Sequence, residues 1–195
     1  MGRSNAVARI ESFPLLDDVV VLTDAAMKAG TPARIVPRLV ENLRGLLANV
    51  GDLPQELLQV RKRGYVRREL YRSPKHDYRV IAITWGPGQA SPIHDHADVW
   101  GVEAVLRGEL EVVDFRSVRE YEALNELLPS GQHRLKAGNV ISLLPPHDLH
   151  ACRNVGTRET AVSLHIYGRH LERVRSYVHL EGRLYRQEEV RLTSV

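Results

Sequence analysis

Two histidines one residue apart are the first sign of chemistry in this sequence. His94 and His96 lie in the run GQASPIHDHADVWGVEAVLRG between Gly88 and Gly108, separated only by Asp95. In an extended strand, side chains two positions apart point to the same face, so both imidazoles can reach one cation. The two glycines allow the backbone to turn at either end of the run.

A third histidine follows in a second strand-like segment. The run GNVISLLPPHDLHACRN, residues 138–154, places His150 after an apolar stretch and two prolines. Catalytic metal sites typically use three protein ligands and leave positions open for substrate. The sequence therefore predicts that His94, His96 and His150 bind one metal ion from two separate strands.

Both segments resemble the motifs of the cupin family. The first has the cupin order of a Gly, five residues, His-x-His and a later Gly, and the second has Pro145, His150 and Asn154 in register with the partner motif. Gly101 stands where most cupins have a metal-binding Glu, which points to one branch of the family, the thiol dioxygenases. The resemblance implies a mainly β fold, the cupin jelly-roll β-barrel, which agrees with the many short strand-like runs after residue 64.

Within that branch the chain resembles the bacterial cysteine dioxygenases. A Ser-x-His-x-Tyr run, formed by Ser163, His165 and Tyr167, follows the third histidine at the family's spacing, and Trp85 matches the TWGPG-like approach to the first motif. The resemblance covers roughly residues 65–167. It implies an enzyme with Fe(II) held by three histidines and no carboxylate, which oxidises L-cysteine with O2 to cysteine sulfinic acid.

The resemblance also implies roles for individual side chains. An Arg before the first motif binds the substrate carboxylate in the family, and we expect Arg68, in YVRRELY, to do so as a two-pronged ion pair. His165, oriented by Ser163, is expected to hydrogen-bond Tyr167. In mammalian relatives this Tyr is joined covalently to a Cys at the position of Gly101, so we predict an uncrosslinked Tyr167 here.

Two other functions remain open at the level of sequence. In the similar 3-mercaptopropionate dioxygenases a later Arg takes the carboxylate, and Arg173 and Arg175 lie in roughly that region. A non-oxygenase metal-binding cupin, either an isomerase or a ligand-binding module, is the other alternative, although most such proteins would retain the Glu that is missing at Gly101. Glu103 would be a ligand only if a bulge shifted the register, and we expect it on the barrel rim or facing away.

The N-terminal third has helical periodicity. The runs LLDDVVVLTDAAMKAG and TPARIVPRLVENLRGLLANVG carry apolar residues at helical spacing, with Thr31 and Pro32 as the N-cap and first residue of the second, and LPQELLQVRKR can form a short third helix. We therefore expect two or three α-helices before the barrel. One cupin domain over residues 1–195 would comprise helices over 1–63, the barrel and metal site over 64–168, and covering strands over 169–195.

Composition restricts the partners. The chain has 27 basic and 24 acidic residues with the signs interleaved, and only 6% aromatic residues, so nucleic acid is not expected as a partner. A single cysteine, Cys152, fits a reducing compartment, and neither an apolar signal segment nor a membrane-spanning run is present. We expect a cytoplasmic monomer or weak homo-oligomer that meets only a small-molecule thiol and O2.

Overall fold

A computed structural model describes residues 13–195. The expectation that the N-terminus carries no signal segment falls on residues 1–12 and so lies outside the described part. Two α-helices come first, α1 (Leu16–Met27) and α2 (Pro32–Leu46), followed by short 3-10 turns at Leu47–Asn49 and Gln55–Leu58. The second turn stands where a short third helix was expected. Thr31 is extended at the N-cap of α2, and Pro32 is its first helical residue, as predicted.

Eleven β-strands account for most of the remaining described chain. They are β1 (Val66–Arg72), β2 (Arg79–Trp85), β3 (Ile93–His94), β4 (Gly101–Arg107), β5 (Glu109–Tyr121), β6 (Leu124–Lys136), β7 (Val140–Leu143), β8 (His150–Asn154), β9 (Ala161–Tyr167), β10 (Arg173–Glu181) and β11 (Leu184–Arg191). All the pairings between these strands are antiparallel. β-branched and aromatic residues, which suit a pleated surface, are frequent in them.

The strands form two sheets. One sheet has the order β1-β2-β9-β4-β7, and the other closes through β10-β11-β6-β5-β8-β3. Gly108, at a φ of +75°, makes the tight turn from β4 to β5 that the sequence predicted, and so passes the chain from the first sheet to the second. Each predicted metal segment therefore contributes a short strand to the second sheet, while Ser163, His165 and Tyr167 lie in the first.

The helices cover the outer face of the five-stranded sheet. Outward residues of β2 such as Val80 and Ala82 pack with Leu39 and Leu43 of α2, whereas Ile81 and Ile83 belong to a separate cluster inside the barrel. Because both faces are covered, every residue of β2 and β9 is buried. No helix in residues 13–195 is both long enough and apolar enough to cross a membrane.

The connection between β5 and β6 differs from the prediction made from the sequence. A loop or short helix is predicted over residues 121–127, but β5 continues to Tyr121 and β6 begins at Leu124, so the two strands form a long hairpin. Glu122 makes the turn at a φ of +46°, a left-handed conformation that non-glycine residues adopt only infrequently. The run lacks the Asn-Gly or Gly-rich signal from which a hairpin is normally recognised.

Candidate metal centre

Backbone pairing brings the three predicted histidines together. His94 on β3 is directly opposite His150 on β8, and His96 follows two residues after His94. Their ring centroids are 5.3 Å apart for His94 and His96, 4.7 Å for His94 and His150, and 5.2 Å for His96 and His150. One ring nitrogen from each lies within 4.8 Å of one from each of the others, which is close enough to surround a single ion.

Each of these rings has an acceptor beside its Nδ1 atom. The Nδ1 of His94 is 3.0 Å from the carbonyl of Pro92, and that of His150 is 2.8 Å from the carbonyl of Asp148. The Nδ1 of His96 is 3.0 Å from the carboxylate of Asp148. Because these oxygens can only accept, each neutral imidazole carries its proton on Nδ1 and presents the lone pair of Nε2 to the common centre.

The surroundings keep the imidazoles of His94 and His150 neutral. Burial, and then the proximity of the other two histidines, holds the pKa of His94 well below its usual range. Burial and the neighbouring His96 lower the pKa of His150 to about 4. Neutral imidazole is the form that binds a metal, so protons compete weakly for the site near neutral pH.

The site fits a first-row divalent ion. The Nε2 of His96 is buried without any hydrogen-bond partner in residues 13–195, which would be costly unless a ligand occupied the space in front of it. Three imidazoles suit iron, copper, nickel and zinc, and the three-residue donor set leaves positions open. The residues that could hold the ion are His94, His96 and His150.

Asp148 orients the ring of His96 and was not identified from the sequence. Its Oδ2 accepts from both the backbone N–H and the ring of His96, each at 3.0 Å. Burial opposes ionisation of this carboxyl, but the contacts with His96 outweigh it and leave the pKa of Asp148 lowered. Its position two residues before His150, in an apolar segment, is the signal that could have indicated it.

Replacing Asp148 by Asn should weaken metal binding by roughly 10- to 100-fold, because a ligand imidazole loses the carboxylate that fixes its tautomer. The measurement is a titration of the metal-free protein with Fe(II) under anaerobic conditions. Glu172→Gln is the matched control, since that carboxylate lies 2.7 Å from His170 Nε2 on the exposed surface. Equal affinities for the two variants would contradict the assigned role of Asp148.

The Ser163, His165 and Tyr167 side chains form one hydrogen-bonded chain. The indole N–H of Trp85 donates to Ser163 Oγ at 2.9 Å, Ser163 Oγ is 2.8 Å from His165 Nε2, and the His165 Nδ1 is 3.1 Å from the Tyr167 hydroxyl. Since Trp is only a donor, the fully satisfied arrangement has Ser163 donating to Nε2 and Nδ1–H donating to Tyr167. The hydroxyl hydrogen of Tyr167 is then free to bond to another molecule.

This chain reaches the histidines through Tyr167. The ring centroids of Tyr167 and His96 are 5.4 Å apart. Burial raises the pKa of Tyr167 above its usual range, so its hydroxyl remains a donor. A Cβ at Gly101 would lie 3.1 Å from Cδ1 of the Tyr167 ring, so the glycine allows the ring to lie close against the strand.

Arg68 is not brought to the histidines. Its guanidinium donates to Thr84 Oγ1 at 2.8 Å and to the carbonyl of Gln59 at 2.9 Å, beneath the helical layer. The physical reason is strand parity, because cross-strand partners lie on the same side of a sheet. Arg68 is opposite Ala82, which faces the helices.

The neighbouring Arg67 faces the barrel interior instead. It is opposite Ile83, whose side chain belongs to the interior cluster. The guanidinium carbon of Arg67 lies 5.9 Å from the centroid of the Tyr167 ring, and its charge lowers the pKa of both His94 and His165 after the larger effect of burial. Arg67, one residue before the predicted Arg68, is therefore the arginine that lies against Tyr167, whose ring is next to His96.

Arg67 is a buried cation without a counter-ion. It is 9% exposed, its Nε has no hydrogen-bond partner, and no carboxylate in residues 13–195 lies within 4.0 Å of its guanidinium nitrogens. A buried charge is costly unless it is paired. An anionic group bound beside Tyr167 would supply the missing partner.

The later arginines are occupied by carboxylates of the chain itself. Arg175 Nε donates to Asp95 Oδ2 at 2.6 Å and its Nη2 lies 3.4 Å from Asp98, while Arg173 pairs with Glu189 at 2.5 Å. Asp95 lies between the first two histidines, so Arg175 ties β10 to the metal segment. Neither arginine is available in the way that Arg67 is.

Glu103 is also placed differently from the expectation. It is fully buried inside the barrel, not on the rim, with its carboxylate 3.7 Å from Cys152 Sγ and 4.0 Å from His165 Nε2. The residue is opposite His165 in the pairing of β4 with β9, so the two side chains share the inner face. Burial raises the pKa of Glu103 to about 7.

Two antiparallel sheets, one of which closes on itself, make up the mainly β cupin fold that the sequence predicted, and this prediction is confirmed. The chain belongs to the cysteine dioxygenase type I family, whose model matches residues 23–179.

Individual relatives agree with this assignment. The cysteine dioxygenase type 1 of Danio rerio is 27% identical over 140 residues, which cover 71% of this chain and 69% of that protein. The Rattus norvegicus protein of the same name is 28% identical over 130 residues, covering 66% of this chain and 64% of its own. The chain thus spans about two thirds of the length of these relatives.

Among solved structures, an oxalate oxidase in complex with glycolate matches with a TM-score of 0.44 at 20% identity, covering 63% of each chain. A Cupin_2 domain of a transcriptional regulator from Enterobacter cloacae matches with a TM-score of 0.41 at 18% identity, covering 54% of this chain and 96% of its own.

Proposed function

We propose that the protein is a non-haem Fe(II) thiol dioxygenase that oxidises L-cysteine with O2 to cysteine sulfinic acid. The observation that carries the proposal is Arg67, a buried guanidinium that has no carboxylate partner within residues 13–195 and contacts Tyr167 beside the three-histidine cluster. A metal site next to a site for one anionic group suits a small molecule that bears a thiol and a carboxylate. Membership of the cysteine dioxygenase type I family supports the same substrate class.

His94, His96 and His150 would hold the metal through Nε2. When bound, Fe(II) would supply open positions for a thiol and O2. The protein contributes a donor set without an anionic residue among the three histidines, together with the hydrogen bonds on Nδ1 that fix the orientation of each ring.

Arg67 would hold the substrate carboxylate. A guanidinium binds a carboxylate through two parallel N–H donors, which fixes the orientation of the bound molecule as well as its presence. Holding the carboxylate at Arg67 leaves the thiol end of a short amino acid directed toward the histidines. Proximity of the reacting groups then contributes much of the rate.

Tyr167 would contribute a hydrogen bond to the bound substrate. Its hydroxyl accepts from His165 and has its own hydrogen available, and its ring contacts both Arg67 and His96. The chain from Trp85 through Ser163 to His165 fixes the direction of that donor. Ser163 and His165 therefore position Tyr167, and the phenol itself touches the substrate.

An oxygen electrode tests the proposal with three thiols. Fe(II)-loaded protein should consume O2 with L-cysteine, whereas cysteamine, which lacks the carboxylate, should show a kcat/KM lower by about 10²-fold or more, because Arg67 is left buried and unpaired. Comparison with 3-mercaptopropionate, which lacks the amine, measures how far the site depends on that group. Absence of thiol-dependent uptake, or cysteamine turnover equal to that of cysteine, would contradict the proposal.

The 3-mercaptopropionate alternative rested on a second arginine after the Ser-x-His-x-Tyr run. Arg173 and Arg175 are both paired with carboxylates of the chain, so nothing in their surroundings favours it. The compartment we propose is the cytoplasm, where the one free cysteine, Cys152, would stay reduced.

A further inference from the structure

A buried carboxylate and a buried thiol lie next to the three-histidine cluster without a part in the proposed reaction. Glu103 is 0% exposed, and no Lys or Arg in residues 13–195 lies within 4.0 Å of its carboxylate. Its hydrogen-bond partner is the thiol of Cys152, which is 2% exposed. Buried carboxylates are normally paired with a cation or bound to a metal. Glu103 has no Lys or Arg partner among the described residues, which leaves a metal ion as a possible partner.

Strand geometry adds an imidazole to this pair. His150 and Cys152 are two residues apart on β8, so both side chains point to the inner face that Glu103 also occupies. One potential ligand atom each from Glu103, His150 and Cys152 lie within 4.8 Å of one another. These three residues form a second potential donor set, which we call the thiolate set.

The spacing within the thiolate set suits a tetrahedral ion. With a metal–sulfur bond of about 2.3 Å and a metal–oxygen bond of about 2.1 Å, tetrahedral ligands place sulfur and oxygen about 3.6 Å apart. The Glu103 carboxylate lies 3.7 Å from Cys152 Sγ. Little movement is needed to bring the two into one coordination sphere.

We infer that Glu103, His150 and Cys152 form a second metal site, which takes a borderline-soft divalent cation such as Zn2+. The ion replaces the thiol proton of Cys152, which is released to solvent, and the carboxylate and thiolate together balance its double charge. Sulfur is the donor that separates this site from the three histidines, because thiolate favours zinc and similar ions.

The two sites exclude each other through His150. Its Nδ1 is 2.8 Å from the carbonyl of Asp148, so only Nε2 is available for a metal. An ion in the thiolate set removes His150 from the cluster with His94 and His96. Zinc bound there would consequently inhibit the oxygenase, a consequence that rests on the proposed function, whereas the site itself does not.

Cobalt provides the test, because Co2+ substitutes for zinc and gives a near-ultraviolet charge-transfer band only when a thiolate binds it. Two metal-free variants of the chain are titrated with Co2+. One carries His94→Ala alone, and the other carries both His94→Ala and Cys152→Ser. His94→Ala disables the three-histidine cluster and leaves the thiolate set whole. We expect this variant to show the band and to bind Co2+ at least about 10-fold more tightly than the double variant.

A second substitution and a fold check complete the experiment. Adding Glu103→Gln to His94→Ala should weaken Co2+ binding while the band persists at saturation, and circular dichroism shows whether each variant retains its β structure. Folded His94→Ala protein that binds Co2+ without a thiolate band, or does not bind it, would overturn the inference. Either result leaves the proposed function standing, since thiol-dependent O2 uptake by the unsubstituted protein is measured separately.

Discussion

Arg67→Ala should lower kcat/KM for L-cysteine by about 10²-fold or more, whereas Arg68→Ala should change it only slightly. The two arginines are adjacent, but Arg67 faces the interior beside Tyr167 and Arg68 faces the helical layer. Removing one partner of a buried charge pair typically costs about 2–5 kcal/mol, which is roughly 30-fold to several thousand-fold in kcat/KM. Steady-state O2 uptake with the two variants measures the difference.

Arg68→Ala is the matched control. It should lower the stability of the protein but leave kcat/KM close to that of the unsubstituted protein. It removes the hydrogen bonds to Thr84 and to the Gln59 carbonyl, so the free energy of unfolding should fall by about 1–3 kcal/mol. Arg67→Lys keeps the charge without the two-pronged geometry and should retain an intermediate rate. A larger loss of kcat/KM from Arg68→Ala than from Arg67→Ala would refute the assignment of the carboxylate to Arg67.

The second large effect is expected from His150→Ala, which should abolish both iron binding and turnover. His150 presents Nε2 to the same centre as His94 and His96, and it is 2% exposed. Loss of a hydrogen-bond partner of a ligand costs about 10- to 100-fold in metal affinity, so loss of the ligand itself should exceed that range. Iron content after anaerobic loading and gel filtration, measured together with O2 uptake, records both losses.

His133→Ala controls for the removal of a histidine as such. The side chain of His133 is exposed, and its one hydrogen-bond partner among the described residues is Asp114, so the variant should keep full iron content and rate. His94→Ala and His96→Ala should behave as His150→Ala does. Retention of stoichiometric iron and turnover by any of the three would remove that residue from the proposed site.

The sequence was most informative about the three histidines, for a geometric reason. The two-residue spacing of His94 and His96 determines their relative orientation once the segment is extended, and the resemblance to cupins supplied the opposite strand with His150. The same holds for Ser163, His165 and Tyr167, which alternate along one strand and share its inner face. Local spacing is sufficient when the interacting residues lie on one strand.

The choice between Arg67 and Arg68 shows where spacing is not sufficient. A shift of one residue moves a side chain to the other face of a sheet. Because the two adjacent residues are both arginines, their types do not indicate which of them faces the barrel interior. The apolar residues Val66 and Leu70 share the parity of Arg68, and Leu70 packs in the cluster beneath the helices. That parity could have assigned Arg67 to the interior, had the helix-facing side of β1 been known.

The predicted position of Glu103 was wrong because β4 is covered on both faces. A glutamate in a strand is normally at a rim or on a solvated face, but the strand GVEAVLR is buried from Gly101 to Leu106 by its neighbours in the barrel and by the helical layer. Burial of that kind depends on contacts distant in sequence. A strand's own residues do not reveal it.

We propose above all that this protein adds both atoms of O2 to the sulfur of a carboxylate-bearing thiol. The most direct measurement is turnover of L-cysteine under 18O2 by the iron-loaded protein, with the product analysed by mass spectrometry. We expect cysteine sulfinic acid in which both sulfinate oxygens are 18O. Disulfide as the sole product, or sulfinate carrying oxygen from water, would contradict it.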